Sequence, residues 1–541
     1  MAIVTSSATL DGVNAFTVFG NTFTWSNGYI PAIDPFGGNG PTVFRADLTL
    51  SGSWSTQSIS FDGFKTKFLI ADVNDGGSRF IGSLRLGAGG GTASFGTTFV
   101  GAIQASGPGE VVLNLGGGAD LVSLNRGNDK VTVGVNSVGT VLMRDGNDTF
   151  VGGNGDVEFV SLGNGNNRLT LGAGQINHAS GGSGDDTVVV GVGGRIDIAA
   201  LGDGANTVTV ANNGRINTLT GNLGDDMVTL NGNSRILTMK LDGGNNTLTT
   251  ANGNVESYYS FGGNNTLNIG NGGIQQVVLS GDGVQTITAQ GFIGSLQVYD
   301  NSVTTATILG GAINVSTSTG DDTITTGGGY VSHISTWDGN DTVVMGLGGG
   351  AIVRLGNGDD LIKLNDLTNA GGMVIWGGNG VDTADFSVPG VALNLSLNLN
   401  GAWQNAPGGL ISLNFLENLT GSAQADTLEG DGAANVLSGA LGNDLLSGLD
   451  GDDLLIGGRG NDRLTGGLGI DTFEFSPGGG RDRVTDFAPG ADLIHFTNSL
   501  TIADITFARQ GTGVLLTVGT AQVLVDNVTV AQMNDPANFL F

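Results

Sequence analysis

The amino-acid sequence predicts an all-β protein that folds as a parallel β-solenoid or β-roll, and three observations lead to this prediction. Glycine makes up 99 of 541 residues, about 18% where roughly 7% is usual, so many positions need a backbone without a Cβ atom. A segment with a period of 19 to 20 residues is followed by a segment with a period of nine residues. Neither segment has helical hydrophobic periodicity, and we therefore expect short parallel strands stacked at about 4.8 Å.

The longer repeat is clearest between residues 181 and 274. Each period joins a Gly/Asn/Asp turn to an alternating strand, as in LGDGANTVTVANNGRI (201–216), where Thr207–Val210 and Arg215–Leu219 are the predicted strands of one coil. Two apolar ladders are expected to face the core. One ladder comprises Val188, Val208, Val228, Leu248, Leu267, Ile287, Ile324 and Val343, and the other comprises Ile196, Ile216, Ile236, Val255, Ile274, Ile313, Val331 and Ile352.

The nine-residue repeat begins at Gly421 and reads GSAQADTLE, GDGAANVLS, GALGNDLLS, GLDGDDLLI, GGRGNDRLT, GGLGIDTFE. Two nonapeptides make one coil, so residues eighteen apart are neighbours on the same edge. Position eight is apolar throughout and predicts the core: Leu428, Leu437, Leu446, Leu455, Leu464 and Phe473. Position six is Asp or Asn, which places Asp426, Asp444 and Asp462 on one edge and Asn435, Asp453 and Asp471 on the other.

The turns of both repeats offer oxygen atoms to a cation. Glycines at positions one and four let the backbone turn its carbonyl oxygens toward the gap between coils, and the stacked carboxylates join them. Calcium accepts six to eight such oxygens, whereas magnesium needs a tighter octahedron and zinc prefers nitrogen or sulfur. The chain has no cysteine and a formal net charge of -29. We therefore predict several calcium ions, with these ligands: Asp426, Asp444, Asp462, Asp453, Asp471 and Asp452 in the nonapeptides, and Asp322, Asp341, Asp360, Asp382, Asp186 and Asp226 in the longer coils.

From about Gly377 to Phe496 the sequence resembles the RTX (repeats-in-toxin) family of calcium-binding β-roll proteins. The resemblance rests on the nonapeptides, on the lead-in LENLTGSAQADTLEG (416–430) and on the exit segment DTFEFSPGGGRDRVTDFAPGADLIHF (471–496). It implies a parallel β-roll with calcium between adjacent turns, and export by a type I secretion machinery that reads an uncleaved C-terminal signal. A glycine-rich acidic chain is expected to fold only where calcium is available.

These patterns divide the chain into five segments. They are an N-terminal β-rich module (1–110), a parallel β-solenoid (111–386), connecting coils (387–420), the nonapeptide roll (421–474) and a C-terminal cap with the secretion signal (475–541). The N-terminal module is rich in aromatic residues and could cap the solenoid or serve attachment and self-association. Both interpretations remain open.

The solenoid departs from the family pattern because only one of its two turns carries acids. The acidic edge also alternates between Asp and Asn, as in Asp186, Asn206 and Asp226. This edge either binds calcium or forms a row of amides that hydrogen bond between coils. On the outer faces, Arg195, Arg215 and Arg235 are a basic stripe for an anionic glycan or simply solvated residues. Outward threonine pairs resemble ice-binding arrays, although threonine is also a common exposed strand residue.

The sequence favours a non-enzymatic function. It contains neither an HExxH zinc motif nor a GxSxG elbow, and its acids lie in evenly repeated turns rather than in one pocket. The acidic balance excludes nucleic acid as a partner, and no apolar run is long enough to span a membrane. We predict a calcium-dependent structural protein that is secreted and self-assembles on the cell surface of a Gram-negative bacterium, similar in plan to RTX-type surface-layer proteins. The alternatives are an adhesin or matrix protein that binds cell-surface polysaccharide or lipopolysaccharide and, third, an exopolysaccharide-modifying enzyme.

Overall fold

The structure is a computed structural model that describes residues 80–541 except 347–351, 368–370, 389, 498–500 and 541. Before residue 80 it describes only the backbone of the strands given below. The aromatic side chains on which the N-terminal module was predicted, including Trp25, Tyr29 and Trp54, lie outside the described residues. Residues Met1–Ile274 form one compact unit and Gln275–Phe541 form a second.

The all-β prediction is confirmed in both units. Among the described residues, helical structure is limited to the α-helix Val530–Met533 and the 3-10 turns Ile502–Asp504 and Pro536–Asn538. Most strands form parallel ladders in which a strand pairs with the equivalent strand of the next coil, as Thr207 pairs with Met227. This is the arrangement of a β-solenoid. Antiparallel pairs join Asn21–Asn27 to both of its neighbours and Trp403–Ala406 to Gly409–Asn414.

The first unit contains two stacks of strands. The first stack follows the acidic turns and comprises Ala15–Val18, Asn21–Asn27, Arg45–Leu50, Lys67–Asp72, Gly91–Phe95, Val111–Leu115, Lys130–Val133, Thr149–Gly152, Arg168–Leu171, Thr187–Val190, Thr207–Val210, Met227–Leu230, Thr247–Thr250 and Asn265–Ile269. The second stack comprises Ile3–Val4, Trp54–Ser60, Arg79–Leu86, Phe99–Ala105, Ala119–Ser123, Val138–Leu142, Val157–Ser161, Gln175–Ser183, Arg195–Asp203, Arg215–Gly221, Arg235–Asp242 and Asn254–Phe261. Parallel pairing begins before residue 111, since Arg45–Leu50 pairs with Lys67–Asp72 and Lys67–Asp72 pairs with Gly91–Phe95.

The second unit has three stacks. The first comprises Val284–Ala289, Val303–Ile308, Thr323–Thr326, Thr342–Met345, Leu361–Leu364, Thr383–Asp385, Asn418–Thr420, Val436–Ser438, Leu454–Ile456, Thr472–Phe475, Leu493–Phe496 and Phe539–Leu540. The second comprises Ile274–Ser280, Ile293–Val298, Ala312–Ser316, Val331–Asp338, Ile352–Asn357, Met373–Asn379, Gly409–Asn414 and Trp403–Ala406. In the nonapeptide region a third stack comprises Asn394–Ser396, Thr427–Glu429, Leu445–Asp450, Arg463–Leu468, Arg481–Val484, Ala521–Val525, Gly513–Val518 and Thr506–Gln510. The last three strands of the third stack pair antiparallel with one another.

The predicted core ladders are confirmed with two corrections. The position-eight residues of the nonapeptides are fully buried, and so is the ladder that runs from Val188 to Val343. Burial of one such aliphatic side chain stabilises the fold by about 1.5–3 kcal/mol. Ile313, predicted to be inside, is 56% exposed, and Ala312 occupies the core position, paired with Val331. Ile352 likewise pairs with the exposed residue His333, so Val353 points inward instead. A shift of one residue exchanges the two faces of a strand.

Candidate metal centre

The acidic turns of the nonapeptides depend on glycine in two different ways. At position four the backbone is left-handed, with φ of 138° at Gly442 and 124° at Gly451, as the sequence predicted. Position-one glycines do not adopt this conformation. Instead a Cβ atom on Gly448 would collide with Asp453 Oδ2 and would lie 2.6 Å from the carbonyl oxygen of Gly466, one coil further. Position one is therefore glycine because a carboxylate oxygen and a carbonyl oxygen occupy the space that a side chain would need.

The position-six side chains form the predicted rows and connect successive coils. In each row, which we call the inner row, a backbone N–H donates to the Oδ1 atom of the equivalent residue in the next coil. On the two edges of the roll these bonds join Asp426 to Asp444 (2.8 Å), Asp444 to Asp462 (2.9 Å) and Asp462 to Asp482 (3.0 Å), and Asn435 to Asp453 (2.8 Å), Asp453 to Asp471 (3.1 Å) and Asp471 to Asp492 (3.1 Å). These side chains are at most 4% exposed.

The longer coils repeat this inner row on their acidic edge. The bonds in the first unit join Asp129 to Asp148 (2.6 Å), Asp148 to Asn167 (2.9 Å), Asn167 to Asp186 (2.9 Å), Asp186 to Asn206 (3.0 Å), Asn206 to Asp226 (3.0 Å) and Asp226 to Asn246 (3.0 Å). In the second unit they join Thr304 to Asp322 (2.5 Å), Asp322 to Asp341 (2.7 Å), Asp341 to Asp360 (2.7 Å) and Asp360 to Asp382 (3.0 Å). The same turn geometry is therefore present in both kinds of repeat.

An outer row runs beside the inner row in the opposite direction. Its exposed side chains, one residue before the buried ones, accept a backbone N–H from the following coil. Asp452 belongs to this row, since its Oδ1 accepts from Ile470 N–H at 2.7 Å. Asp185 accepts from Ala205 N–H at 2.8 Å in the same way. Asp452 was predicted with the calcium ligands, but the structure places it at the surface, apart from the buried row.

The second carboxylate oxygen of the inner row has no hydrogen-bond partner in most coils. These buried, unpartnered Oδ2 atoms belong to Asp148, Asp186, Asp226, Asp322, Asp341, Asp360, Asp382, Asp444, Asp453, Asp462 and Asp471. An unsatisfied buried polar group costs about 1–3 kcal/mol, and a charged one costs more. Such atoms require a proton or a cation.

The asparagine residues of the inner row show which hydrogen bonds this position can make. The amide of Asn167 donates to the carbonyl oxygens of Gly163 (3.0 Å) and Gly165 (2.9 Å), and the amide of Asn435 donates to the carbonyl oxygen of Glu417 (2.9 Å). An aspartate in this position presents an oxygen where asparagine presents an N–H donor. The aspartate turns therefore bring carbonyl and carboxylate oxygens together without a hydrogen atom between them. The amides bond mainly within their own turn, while the Oδ1 atoms bond between coils.

Asp426 differs from the other predicted ligands. Its Oδ1 accepts from Leu393 N–H at 2.7 Å, and its Oδ2 accepts from Ser422 N–H at 2.5 Å. Ser422 stands at position two of the first nonapeptide, and its hydroxyl also donates to Asp426 at 3.1 Å. Both carboxylate oxygens of Asp426 therefore have protein partners, and an ion bound there would use their remaining lone pairs.

Burial alters the protonation of the inner row when no cation is bound. Loss of hydration, together with the neighbouring carboxylates Asp462 and Asp426, raises the pKa of Asp444 to about 7. Burial raises the pKa of Asp453 and Asp471 to about 6, and that of Asp341 and Asp382 to about 7. Each carboxylate is thus held in surroundings that disfavour its negative charge unless a positive charge is supplied.

Calcium fits this donor set. Among the described residues no three acidic or histidine side chains converge, so an ion at these turns must draw most of its ligands from the backbone. The position-one cradle supplies them, since a Cβ on Gly439 would collide with Asp444 Oδ2 and lie 2.7 Å from the carbonyl oxygen of Gly457. One carboxylate oxygen per turn together with several carbonyl oxygens is the hard, flexible ligand set that calcium prefers.

Sequence reasoning missed several members of the inner row. Asp482 and Asp492 extend it beyond the last nonapeptide, and Glu417 Oε2 accepts from Asp382 N–H at 2.7 Å in place of a further aspartate. Asp129 lies nineteen residues before Asp148, so the period itself could have identified it. Spacings of 20 and 21 residues hide Asp482 and Asp492 from a search for a nine-residue period.

The structure also locates the other surface features that the sequence singled out. Arg195 forms a salt bridge with Asp197 (2.6 Å), and Arg235 forms one with Glu256 (2.8 Å), so acids accompany two of the three arginines of the predicted stripe. One described cavity, of about 400 Å³, is lined by Arg85, Gln104, Ala105, Ser106, Ser123, Leu124, Asn125 and Arg144. Its lining contains neither a histidine nor a carboxylate.

No helix in the described part of the chain has the length and apolar character needed to cross a membrane.

Comparison with known proteins agrees with the geometry of the turns. The family model described as the RTX calcium-binding nonapeptide repeat matches four copies, within residues 106–131, 415–446 and 438–473. No curated protein matches the chain. Among solved structures, the AlgE6R3 subunit of the Azotobacter vinelandii mannuronan C5-epimerase is 28% identical, with a TM-score of 0.19, over 23% of this chain and 81% of that one. The extracellular lipase LipA of Serratia marcescens is 20% identical, with a TM-score of 0.18, over 45% of each chain.

The match to the family model includes residues 106–131 as well as the nonapeptide roll, so the family pattern reaches the longer coils. The chain therefore contains RTX calcium-binding nonapeptide repeats, and these repeats bind calcium ions.

Proposed function

We propose that this protein with RTX repeats is a calcium-dependent structural protein, secreted and self-assembled on the surface of a Gram-negative bacterium. The observation that carries the proposal is the inner row of buried, unpartnered carboxylate oxygens that recurs from coil to coil. The Oδ1 atoms of this row bond successive coils, whereas the unpartnered Oδ2 atoms oppose folding until each gap receives a divalent ion. Proteins with RTX repeats are typically extracellular, where calcium is abundant.

We propose individual calcium ligands on the same basis. Asp444, Asp453, Asp462 and Asp471 contribute Oδ2 atoms in the roll, and Asp186, Asp226, Asp322, Asp341, Asp360 and Asp382 do so in the longer coils. Asparagine residues of the inner row, such as Asn167 and Asn206, take the place of an ion with their own amide groups. Asp426 and Asp452 remain proposed ligands in different surroundings, because the oxygens of Asp426 also accept hydrogen bonds and Asp452 is exposed.

Self-assembly would use the outer row. The exposed acids Asp185 and Asp225 in the first unit, and Asp321 and Asp359 in the second, stand beside buried ones and lie two coils apart within their unit. Calcium bound there can link two copies whose like charges otherwise repel each other. The chain then acts as a scaffold rather than as an enzyme.

Electron microscopy of the purified protein tests this proposal. Ordered sheets or filaments are expected in calcium, and dispersed particles are expected after chelation. Dispersed particles under both conditions would remove the assembly proposal, although calcium binding by the repeats would stand.

A second candidate function is a secreted protein that binds polysaccharide. The observation in its favour is a group of exposed aromatic side chains, Trp337, Trp376 and Phe415, on the second unit. An adhesin of this kind remains monomeric in calcium and is retained by a glycan matrix, which separates it from a lattice-forming protein.

A further inference from the structure

The second stack of the second unit has an outward face without acidic side chains. Two rows of residues in register across five strands form this face, which we call the acid-free face: Ser295, Asn314, His333, Ile352 and Val374 in one row, and Gln297, Ser316, Ser335, Arg354 and Trp376 in the other. The chain as a whole has 49 acidic residues and a net charge of -29. The outward rows of the first stack in the first unit, such as Thr207, Met227 and Thr247, are also free of acids, so the exposed aromatic rings beside Arg354 are what distinguish the acid-free face.

Three exposed aromatic rings border the end of this face. Trp337 is 58% exposed, and its indole N–H donates to Ser316 Oγ at 3.0 Å, which fixes the ring over the sheet. Trp376 and Phe415 contact each other, with ring centroids 5.6 Å apart and an interplanar angle of 32°. Between them, Gly356 and Gly378 pair with the position of Trp337 and leave a strip of bare backbone.

Two of these rings stand at strained backbone positions. Trp337 has φ of 73° and Phe415 has φ of 51°, whereas the aligned residues of the intervening coils are glycines. A left-handed conformation costs a bulky residue roughly 1–2 kcal/mol. Both side chains are more than half exposed, so packing within the protein does little to offset this cost. Large aromatic residues that are strained and exposed indicate a surface kept for binding.

Arg354 supplies a positive charge beside the rings. It pairs with Ser335 on one side and Trp376 on the other, it is exposed, and it forms no salt bridge with any described residue. The first acid on this surface, Asp338, lies at the turn, where Asn357 donates to it and Asn379 in turn donates to Asn357 at 2.6 Å. The bare glycine strip thus has the Arg354 guanidinium group and the aromatic rings on one side. On its other side lies a line of amide groups.

We propose that the acid-free face binds an acidic polysaccharide. Pyranose rings stack their C–H faces on Trp337 and Trp376, a carboxylate or phosphate group of the sugar pairs with Arg354, and the amide and hydroxyl side chains bond the sugar hydroxyls. The charge pattern favours this ligand, because an anionic polymer meets the Arg354 guanidinium group and no carboxylate in the two rows of this face. The inference deepens the second candidate function and does not depend on self-assembly.

Binding is measured by isothermal titration calorimetry on the full chain in calcium. The probes are hyaluronan as a carboxylate-bearing glycan, purified lipopolysaccharide as a phosphate-bearing one, and dextran as a neutral polymer. The variants Trp376→Ala and Arg354→Gln are each expected to weaken binding roughly three- to tenfold. Leu468→Ala, an exposed apolar residue of the roll, and Lys363→Gln, on the first stack, serve as matched controls and leave binding unchanged.

Trp337→Gly separates binding from folding. Glycine relieves the left-handed strain at residue 337, so this variant is expected to keep or raise the melting temperature while weakening glycan binding roughly three- to tenfold. The proposal is supported if either acidic probe binds and if these variants weaken that binding. The probe that binds then identifies the anionic group. The proposal is overturned if no acidic probe binds, if dextran binds equally well, or if the variants bind as the unmodified chain does. Loss of a dimer in Trp376→Ala would also overturn it, since a second copy would then be the occupant.

Electron microscopy of the same samples distinguishes failure of the glycan-binding proposal from failure of the assembly proposal. Variants of the acid-free face should assemble in calcium as the unmodified chain does, whether or not they bind a glycan.

Discussion

Replacing Asp453 by asparagine should change the stability of the roll in opposite directions with and without calcium. Asp453 Oδ1 accepts from Asn435 N–H at 2.8 Å, and the amide oxygen of the substituted side chain would keep this bond. The Oδ2 atom of Asp453, however, is buried without a partner beside the carbonyl oxygen of Gly466. In Asp453→Asn an amide group replaces that oxygen and can donate to a carbonyl. The amide of Asn167 does so within its own turn, and that of Asn435 donates to Glu417 of the preceding coil.

The magnitudes follow from the two states of the site. In EGTA the variant removes one unsatisfied buried group, which should raise the free energy of unfolding by about 1–3 kcal/mol. In calcium the variant loses one ion, which at a hundredfold excess over the dissociation constant stabilises the native state by about 2.7 kcal/mol. Urea unfolding followed by circular dichroism, in EGTA and in calcium, measures both values. Asn435→Asp is the reverse control and should show both effects with opposite sign.

The result that would refute this reasoning is a variant that is less stable than the unmodified chain in EGTA. A variant that is equally stable in calcium would likewise show that Asp453 holds no ion. A uniform loss in both conditions would mean that the substitution only disturbs packing.

Three further predictions rest on the same turns. Asn167→Asp should destabilise the first unit in EGTA by about 1–3 kcal/mol and make its melting temperature rise with calcium, because the substitution replaces an amide bonded to Gly163 and Gly165 by an unpartnered oxygen. Gly448→Ala should cost about 1–3 kcal/mol or more in urea unfolding, because a Cβ there meets Asp453 Oδ2, whereas Gly432→Ala, with nothing within 4 Å, should be nearly neutral; equal effects would contradict the cradle. The metal-free protein should be most stable below the ordinary aspartate pKa of 3.8 and should lose stability as pH rises through about 6 to 7. The reason is that burial raises the pKa of Asp444 and Asp453 in the folded state. Melting temperatures that rise with pH across this range would contradict the prediction.

The repeat pattern was sufficient to predict the fold and the rows of acids. Position eight is apolar in every nonapeptide, whereas positions seven and nine vary between apolar and polar residues, so the repeat assigns Leu455 to the core even though Leu454 and Ile456 flank it. Position six precedes position eight by two residues and lies on the same side of the chain. The eighteen-residue spacing then places Asp444 beside Asp462. Periodicity fixes these neighbours without any knowledge of distances.

Other features could not be predicted because they depend on register or on the course of the backbone. The pair Ala312 and Ile313 offers two apolar residues for one core position, and only the pairing of Ala312 with Val331 decides between them. Asp426 resembles its neighbours in sequence, yet Ser422 already bonds both of its oxygens. The strain at Trp337 is likewise invisible in the sequence, since the residue becomes unusual only when Gly356 and Gly378 are aligned with it.

The inner row has a direction, and this has a consequence for the order of folding. Each bond runs from the backbone N–H of one coil to the carboxylate of the coil that follows it in sequence, as from Asp444 to Asp462. The outer row runs the other way, as from Ile470 N–H to Asp452 Oδ1, so an ordered coil presents fixed donors and acceptors to the coils on both sides of it. The two opposed rows together let each finished turn act as a template for the next turn in either direction along the stack.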